Sequence, residues 1–255
     1  MRVANAMQRH AAADKPRFVI SVGDNFYPKG VSGIDDPAWN ESFEHVYTSP
    51  ELQCPWYVVL GNHDHHGSIA AQIEYSSRSK RWVMLAEYYK RTESVAPGSD
   101  IDLFFLDTEP IASPPSIFTR LWKGEADPEE QVEWLDRELS TSKARWKIVV
   151  GHHPIVSVGR HGPSANMIER IKPLLERHGV HAYFNGHDHN LQHATSNGVH
   201  YFTSGGGSEA FVSKECQSLS ECYSELGFLS GRITPDTFTV DVINSEGAIL
   251  RTITV

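Results

Sequence analysis

Cysteine is scarce in this chain of 255 residues: three residues are too few for a disulfide framework, and without a C-x-x-C pair there is no thiolate zinc site. Cys54 reads as an ordinary core residue. Cys216 and Cys222 are close enough to close a small loop, or to stay as two thiols in a polar surface segment. No apolar run approaches the roughly 20 residues that a bilayer-spanning helix needs, so no membrane partner is expected. The stretch MRVANAMQRH lacks the apolar core of a secretion signal, and the sequence names no compartment. Basic residues are in deficit, 23 against 32 acidic ones, for a net charge of −9. That excludes an extended nucleic-acid footprint, which needs many Lys and Arg side chains, but it still allows one small anion at a local positive centre. Low-complexity linkers and repeats of fixed period are absent as well. With 40% hydrophobic residues, a single domain over 1–255 with a sizeable core is expected.

What is present is one pattern written four times: an apolar strand, a glycine, then a polar cluster. RFVISV ends in GDNFY, WYVVL at 56–60 in GNHDHHG, WKIVV at 146–150 in GHHP, and VHAYFN at 180–185 in GHDHN. Runs of β-branched residues that empty into a loop are parallel strands, and strand ends on one edge of a sheet are where α/β folds place their chemistry. Between them, helices are predicted over 2–13, around 40–47, over 128–142 and along NMIERIKPLLERHG; IDLFFLDT at 101–108 is a further strand. VHYFTSGGG, FLSGRITPDTFTVDVIN and AILRTITV read as consecutive strands with turns between them, so the C-terminal part is antiparallel in character.

A lone histidine after a strand is usually a hydrogen-bonded structural residue. Four clusters at like strand ends are different, because they converge in space. Asp24, Tyr27, Asn62, His152, His187 and His189 make a mixed oxygen and nitrogen donor set. A carboxylate has two oxygens and can bridge two cations, which makes Asp24 the natural shared ligand. Two metals roughly 3.5–4 Å apart can then clamp the attacking and leaving oxygens of a displacement at phosphorus. His187 and His189 are two apart and can face one way in extended backbone, while His153 next to His152 should point away.

In order and spacing, GDNFY, GNHDH, GHHP and GHDHN resemble the motifs of the calcineurin-like metallophosphoesterases. The tyrosine three residues after the aspartate resembles the purple acid phosphatases, and the set is most similar to their small tartrate-resistant type, over roughly residues 16–255. The resemblance implies a four-layer α/β/β/α sandwich of two mixed sheets. It implies Fe(III) on Asp24, Tyr27 and His189, and a second, divalent ion (Fe, Zn or Mn) on Asp24, Asn62, His152 and His187. His63, and His161 in VGRHGP, match family histidines that contact phosphate and protonate the leaving group. The implied reaction is hydrolysis of a small phosphate monoester or phosphoprotein by a metal-activated hydroxide, in a monomer. Tyr27 as a loop aromatic and His161 as an exposed spectator are the plainer readings of those two residues. Asp64 is expected to orient His63, His65 and His66 to lie on the rim, and Gly205–Gly207 to form a turn near the site.

One family feature has no counterpart: the strand and D-x-G turn ahead of the first crossover helix. The domain is therefore expected to be N-terminally incomplete, lacking the first strand, with the full-length form carrying that segment and possessing a secretion signal. Two other readings stand beside the acid phosphatase. One is a metal-deficient homologue that acts as a binding protein; the other is a phosphodiesterase or phosphoprotein phosphatase of the wider superfamily, against which Tyr27 argues.

Overall fold

The structure is a computed structural model and describes residues 1–114, 127–217 and 221–255. The first helix, α1 (Arg2–Asp14), buries Val3, Ala4, Ala6 and Ala11, the small apolar residues that recur at helical spacing. It leads into β1 (Val19–Ser21), which pairs in parallel with β2 (Trp56–Val58), itself parallel to β3 (Trp82–Val83). Seven further strands form one mixed sheet: β4 (Tyr89–Ala96), β5 (Ser99–Phe105), β6 (Trp146–Val150), β7 (Ala182–Asn185), β8 (Leu191–Ser196), β9 (Val199–Ser204) and β10 (Cys222–Tyr223). Their order is β10-β8-β9-β7-β6-β5-β4, with β5, β6, β7 and β9 mutually parallel. An antiparallel sheet of β11 (Gly227–Ile233), β12 (Phe238–Asn244) and β13 (Ile249–Thr254) follows.

Strand alternation distributes the core. Leu103 and Phe105 of β5 and Ile148 and Val150 of β6 pack with Trp56 and Val58 of β2 and Val240 and Val242 of β12. Their neighbours Phe104 and Val149 point the other way, into a cluster with Leu135 and Leu139 of the helix Pro128–Thr141 and with Leu174 and Leu175. Val3 and Ala6 of α1 meet Phe228 and Ile243 on the outer side of the antiparallel sheet. Helices thus flank both β layers. The second layer is mixed only when its parallel and antiparallel three-stranded sheets are taken together.

Some expectations shift in detail. The helix foreseen in NMIERIKPLLERHG is two helices, Ala165–Arg170 and Lys172–Arg177, because Pro173 has no N–H to give and crowds the preceding turn. The short helix near Asn40 is a π-helical turn, Trp39–Glu44. Cys216 and Cys222 are joined as a disulfide, and Cys54 is a half-buried free thiol.

β1 and β11 are each the outermost strand of their sheet. Both line a cavity of about 460 Å³, together with Met7 and Ala11 of α1 and Leu103 and Phe184 of the large sheet. In keeping with that opening, the β1 residues are only half-buried, whereas Trp56–Leu60 are buried throughout.

Candidate metal centre

The four glycine-ended strands deliver their clusters to one place because the chain is kept narrow there. Gly23 has φ +91°, and a Cβ on it would lie 2.6 Å from His152 Nδ1 and 2.9 Å from the Leu60 carbonyl carbon. Only glycine fits that approach. Asp24 follows in the left-handed region at φ 54°, which turns its carboxylate toward the second loop. Asp64 then joins the two loops. It is fully buried, and its Oδ2 accepts the Asn25 N–H at 3.0 Å, the Asn25 amide at 3.1 Å and the Gly61 N–H at 2.9 Å. The Gln72 amide donates to Oδ1 at 2.9 Å.

Asp64 therefore does not orient His63, as the sequence suggested. The His63 ring is set by Nδ1 against the Pro28 carbonyl at 2.8 Å, and it lies on the Tyr27 ring at a centroid distance of 4.4 Å. His65 is half-buried, with its Nε2 2.9 Å from Asp107 Oδ1; His66 is exposed. His153 turns aside, with Nδ1 2.9 Å from Thr108 Oγ1 and Nε2 3.3 Å from Glu109. The same threonine hydroxyl accepts the His152 and His153 N–H groups, a role that sequence reasoning missed. Gly205 does pack by the site, against the Asp188 carbonyl.

The six candidate donors form two groups that meet at Asp24. In the first, the Tyr27 hydroxyl lies 2.9 Å from Asp24 Oδ2 and 3.2 Å from His189 Nε2. In the second, Asn62 Oδ1 lies 3.1 Å from both His152 Nε2 and His187 Nδ1, which are themselves 3.2 Å apart. Asp24 Oδ2 is 3.5 Å from His152 Nε2, so one oxygen touches both groups. His152 Nδ1 faces the Val22 carbonyl at 2.8 Å, an arrangement that leaves Nε2 with its lone pair toward Asn62.

Electrostatics keep these groups in ligating form. Burial, then the proximity of His152 and His161, pulls His187 down to about 3, so its imidazole is neutral. Burial also lowers His189. At Asp24 burial acts upward, but His152, the His63 N–H and the Tyr27 hydroxyl together hold the carboxyl below its ordinary range. Burial and then the Asp24 carboxylate push the Tyr27 phenol well above its usual value, although the residue is 46% exposed. A phenolate there requires a cation beside it.

The donor set fits a metal pair in one specific respect. Ligands roughly 2.0 Å from a tetrahedral ion stand roughly 3.3 Å from one another, close to the edges of the Asn62–His152–His187 triangle. His189 Nδ1 is buried without a hydrogen-bond partner, with Glu209 Oε2 3.7 Å away. Among the described residues no three His, Cys, Asp or Glu side chains are arranged by themselves around one point. Each of the two groups includes a phenol or an amide oxygen.

Strands that end in an oxygen and nitrogen donor set at one sheet edge suit a metal-dependent phosphoesterase, and the chain belongs to the Calcineurin-like phosphoesterase family, which matches residues 2–191. Within that family its homologues are purple acid phosphatases. Purple acid phosphatase 7 of Arabidopsis thaliana is 40% identical over 230 residues, which span 85% of this chain and 69% of that protein. Tartrate-resistant acid phosphatase type 5 of Homo sapiens is 39% identical over 210 residues, 78% of this chain and 64% of its own length. Two solved structures share the fold. GAP50, the anchor in the inner membrane complex of Plasmodium, has a TM-score of 0.84 at 24% identity and covers all of this chain and 82% of its own. The purple acid phosphatase PPD1 of yellow lupin has a TM-score of 0.66 at 14% identity, covering 99% of this chain and 48% of its own.

Proposed function

We propose that the chain is an acid phosphatase that hydrolyses small phosphate monoesters, with Fe(III) held by Asp24, Tyr27 and His189 and a divalent ion held by Asp24, Asn62, His152 and His187. The observation that carries this reading is the Asn62–His152–His187 triangle, joined through Asp24 Oδ2 to the Tyr27–His189 pair. Bound there, two cations supply Lewis acidity at the phosphate oxygens and acidify a water.

The chain's own residues do the rest. The His63 N–H donates to Asp24 Oδ1 at 2.9 Å, which holds the bridging carboxylate in place. With its Nδ1 turned to the Pro28 carbonyl, the His63 ring has Nε2 left to exchange a proton with a bound phosphate. His161 lies beside His187 at a centroid distance of 4.4 Å, its ring tilted by 41°, and is exposed at the mouth, where a leaving alcohol departs. A cavity of about 340 Å³ opens there, lined by Asn62, Glu109, His153, His161 and His187, large enough for a small ester.

The test is metal analysis of the purified protein together with phosphate release from 4-nitrophenyl phosphate at acid pH. Two equivalents of metal, one of them iron, and turnover that disappears on chelation are expected. Hydrolysis of phosphodiesters but not monoesters would move the chain elsewhere in the superfamily.

A further inference from the structure

The segment that carries His161 to the site, Ser157–His161, has no regular secondary structure. Side chains from the β7–β8 region hold it instead, and Asp188 is their centre. Asp188 lies between the candidate ligands His187 and His189 and is fully buried. Its carboxylate accepts hydrogen bonds from the Ser157 hydroxyl and, at 2.7 Å, from the His161 N–H. Gln192 continues the clamp: its Oε1 accepts the Val158 N–H at 2.9 Å, and its Nε2 donates to Ser157 Oγ at 2.9 Å. The loop runs so close over Asp188 that a Cβ on Gly159 would lie 2.2 Å from the carboxyl carbon. A buried carboxylate satisfied by N–H and O–H donors is a rigid anchor, because each bond is charge-assisted and none can be replaced by water.

We propose that Asp188 is a positioning residue for leaving-group protonation: it fixes the 157–161 loop so that the His161 imidazole stands beside His187 at the mouth of the site. The inference rests on the phosphatase reading above. In the step concerned, a water oxygen forms a new bond to phosphorus and gives up a proton to solvent, while the bond between phosphorus and the ester oxygen breaks with its electron pair going to the ester oxygen. The His161 imidazolium gives its proton to the same oxygen, so a neutral alcohol leaves and His161 becomes neutral. An alcohol that is a poor leaving group depends on this proton; 4-nitrophenolate does not. Displacing a catalytic group by about 1 Å costs roughly a hundred-fold in rate.

The experiment compares the metal-loaded wild-type enzyme with Asp188→Asn on glycerol 2-phosphate and on 4-nitrophenyl phosphate, with metal content and amide exchange measured in parallel. The asparagine keeps the volume but turns a donor toward either the His161 N–H or the Ser157 hydroxyl. Expected are a roughly ten- to a hundred-fold loss of kcat on glycerol 2-phosphate and little loss on the nitrophenyl ester. Metal content should be unchanged, and the His161 amide should exchange faster. His161→Ala should show the same substrate split, and the double variant should be no worse than the single ones. Ser157→Ala removes one bond of the clamp with Asp188 intact and should show a smaller split of the same sign if Asp188→Asn does not fold. Equal losses on both esters, metal lost in step with activity, or wild-type rates would each overturn the proposal. A wild-type enzyme that turns over neither ester, while its His161 amide is protected and the Asn variant's is not, would sink the phosphatase reading and leave Asp188 a structural clamp.

Discussion

The Asn25 N–H donates to Asp64 Oδ2 at 3.0 Å, tying the loop after β1 to the loop after β2. Asp24 and Asn62, one residue before and two residues before these partners, are thereby held at a fixed separation. Four donors converge on the one buried carboxylate. Asp64→Ala takes the acceptor from three of them, while the Asn25 amide keeps the Val59 carbonyl at 2.9 Å, and a buried group left unpaired costs about 1–3 kcal/mol. A total loss of about 3 kcal/mol or more is expected, with metal content falling too. Urea unfolding and metal analysis check it; an unchanged midpoint would show that the two loops are held together by other contacts.

Tyr27→Phe removes the phenol oxygen that lies 2.9 Å from Asp24 and 3.2 Å from His189 but keeps the ring on His63. If that oxygen binds Fe(III) as a phenolate, the purple absorption band comes from it, and the variant should be colourless with its iron retained through Asp24 and His189. A visible spectrum identical to wild type would remove Tyr27 from the ferric site.

His63→Ala should lower turnover by roughly a hundred- to ten-thousand-fold, the usual scale of general acid–base assistance, and leave metal content nearly intact. The backbone N–H that supports Asp24 survives the substitution. Parallel loss of metal and activity would make the ring a structural support.

The four strand-end clusters were legible because buried parallel strands carry an apolar signature that stops abruptly at glycine. β4 was not, since YKRTESVA is polar, as an edge strand of the large sheet must be. β8, LQHATS, lies between β10 and β9 and was hidden because its sequence is also mostly polar. The donors Tyr27, Asn62 and His187 could be named from their motifs, but what aligns them could not. Asp64, Thr108 and Asp188 act through hydrogen bonds to residues distant in sequence, Asp188 27 residues from His161. Such pairings depend on the loop paths and leave no periodic trace.

A fourth expectation concerns pH. His181, His193 and His200 lie below the ordinary imidazole range, with burial the largest cause in each. His193 Nδ1 is 3.0 Å from Glu221, which works against the shift, and its Nε2 is 3.0 Å from His200 Nδ1, so two imidazolium rings would face each other if both were charged. A base depressed in the folded state binds fewer protons there than in the unfolded chain. Stability therefore rises with pH across this range and is lost as pH falls below about 6.5, the unfolded value. The urea midpoint should drop between about pH 7 and pH 5, and His200→Gln should flatten that dependence. A midpoint that rises on acidification would contradict the burial of these rings.

The open edge of β1 gives the last expectation. The Val19 N–H donates to the Pro55 carbonyl and the Ser21 carbonyl accepts from Val59, so those groups face β2. By alternation the Ile20 N–H points the other way, toward the cavity shared with β11. A donor on an unpaired edge exchanges with solvent far faster than one in a ladder. The Ile20 amide should thus exchange at least about a hundred-fold faster than that of Val19, and an apolar dye should bind the cavity with a rise in fluorescence. Equal protection of Ile20 and Val19 would mean that in solution another strand, from a second copy of the chain or from residues outside 1–255, closes the edge and joins the two three-stranded sheets into one.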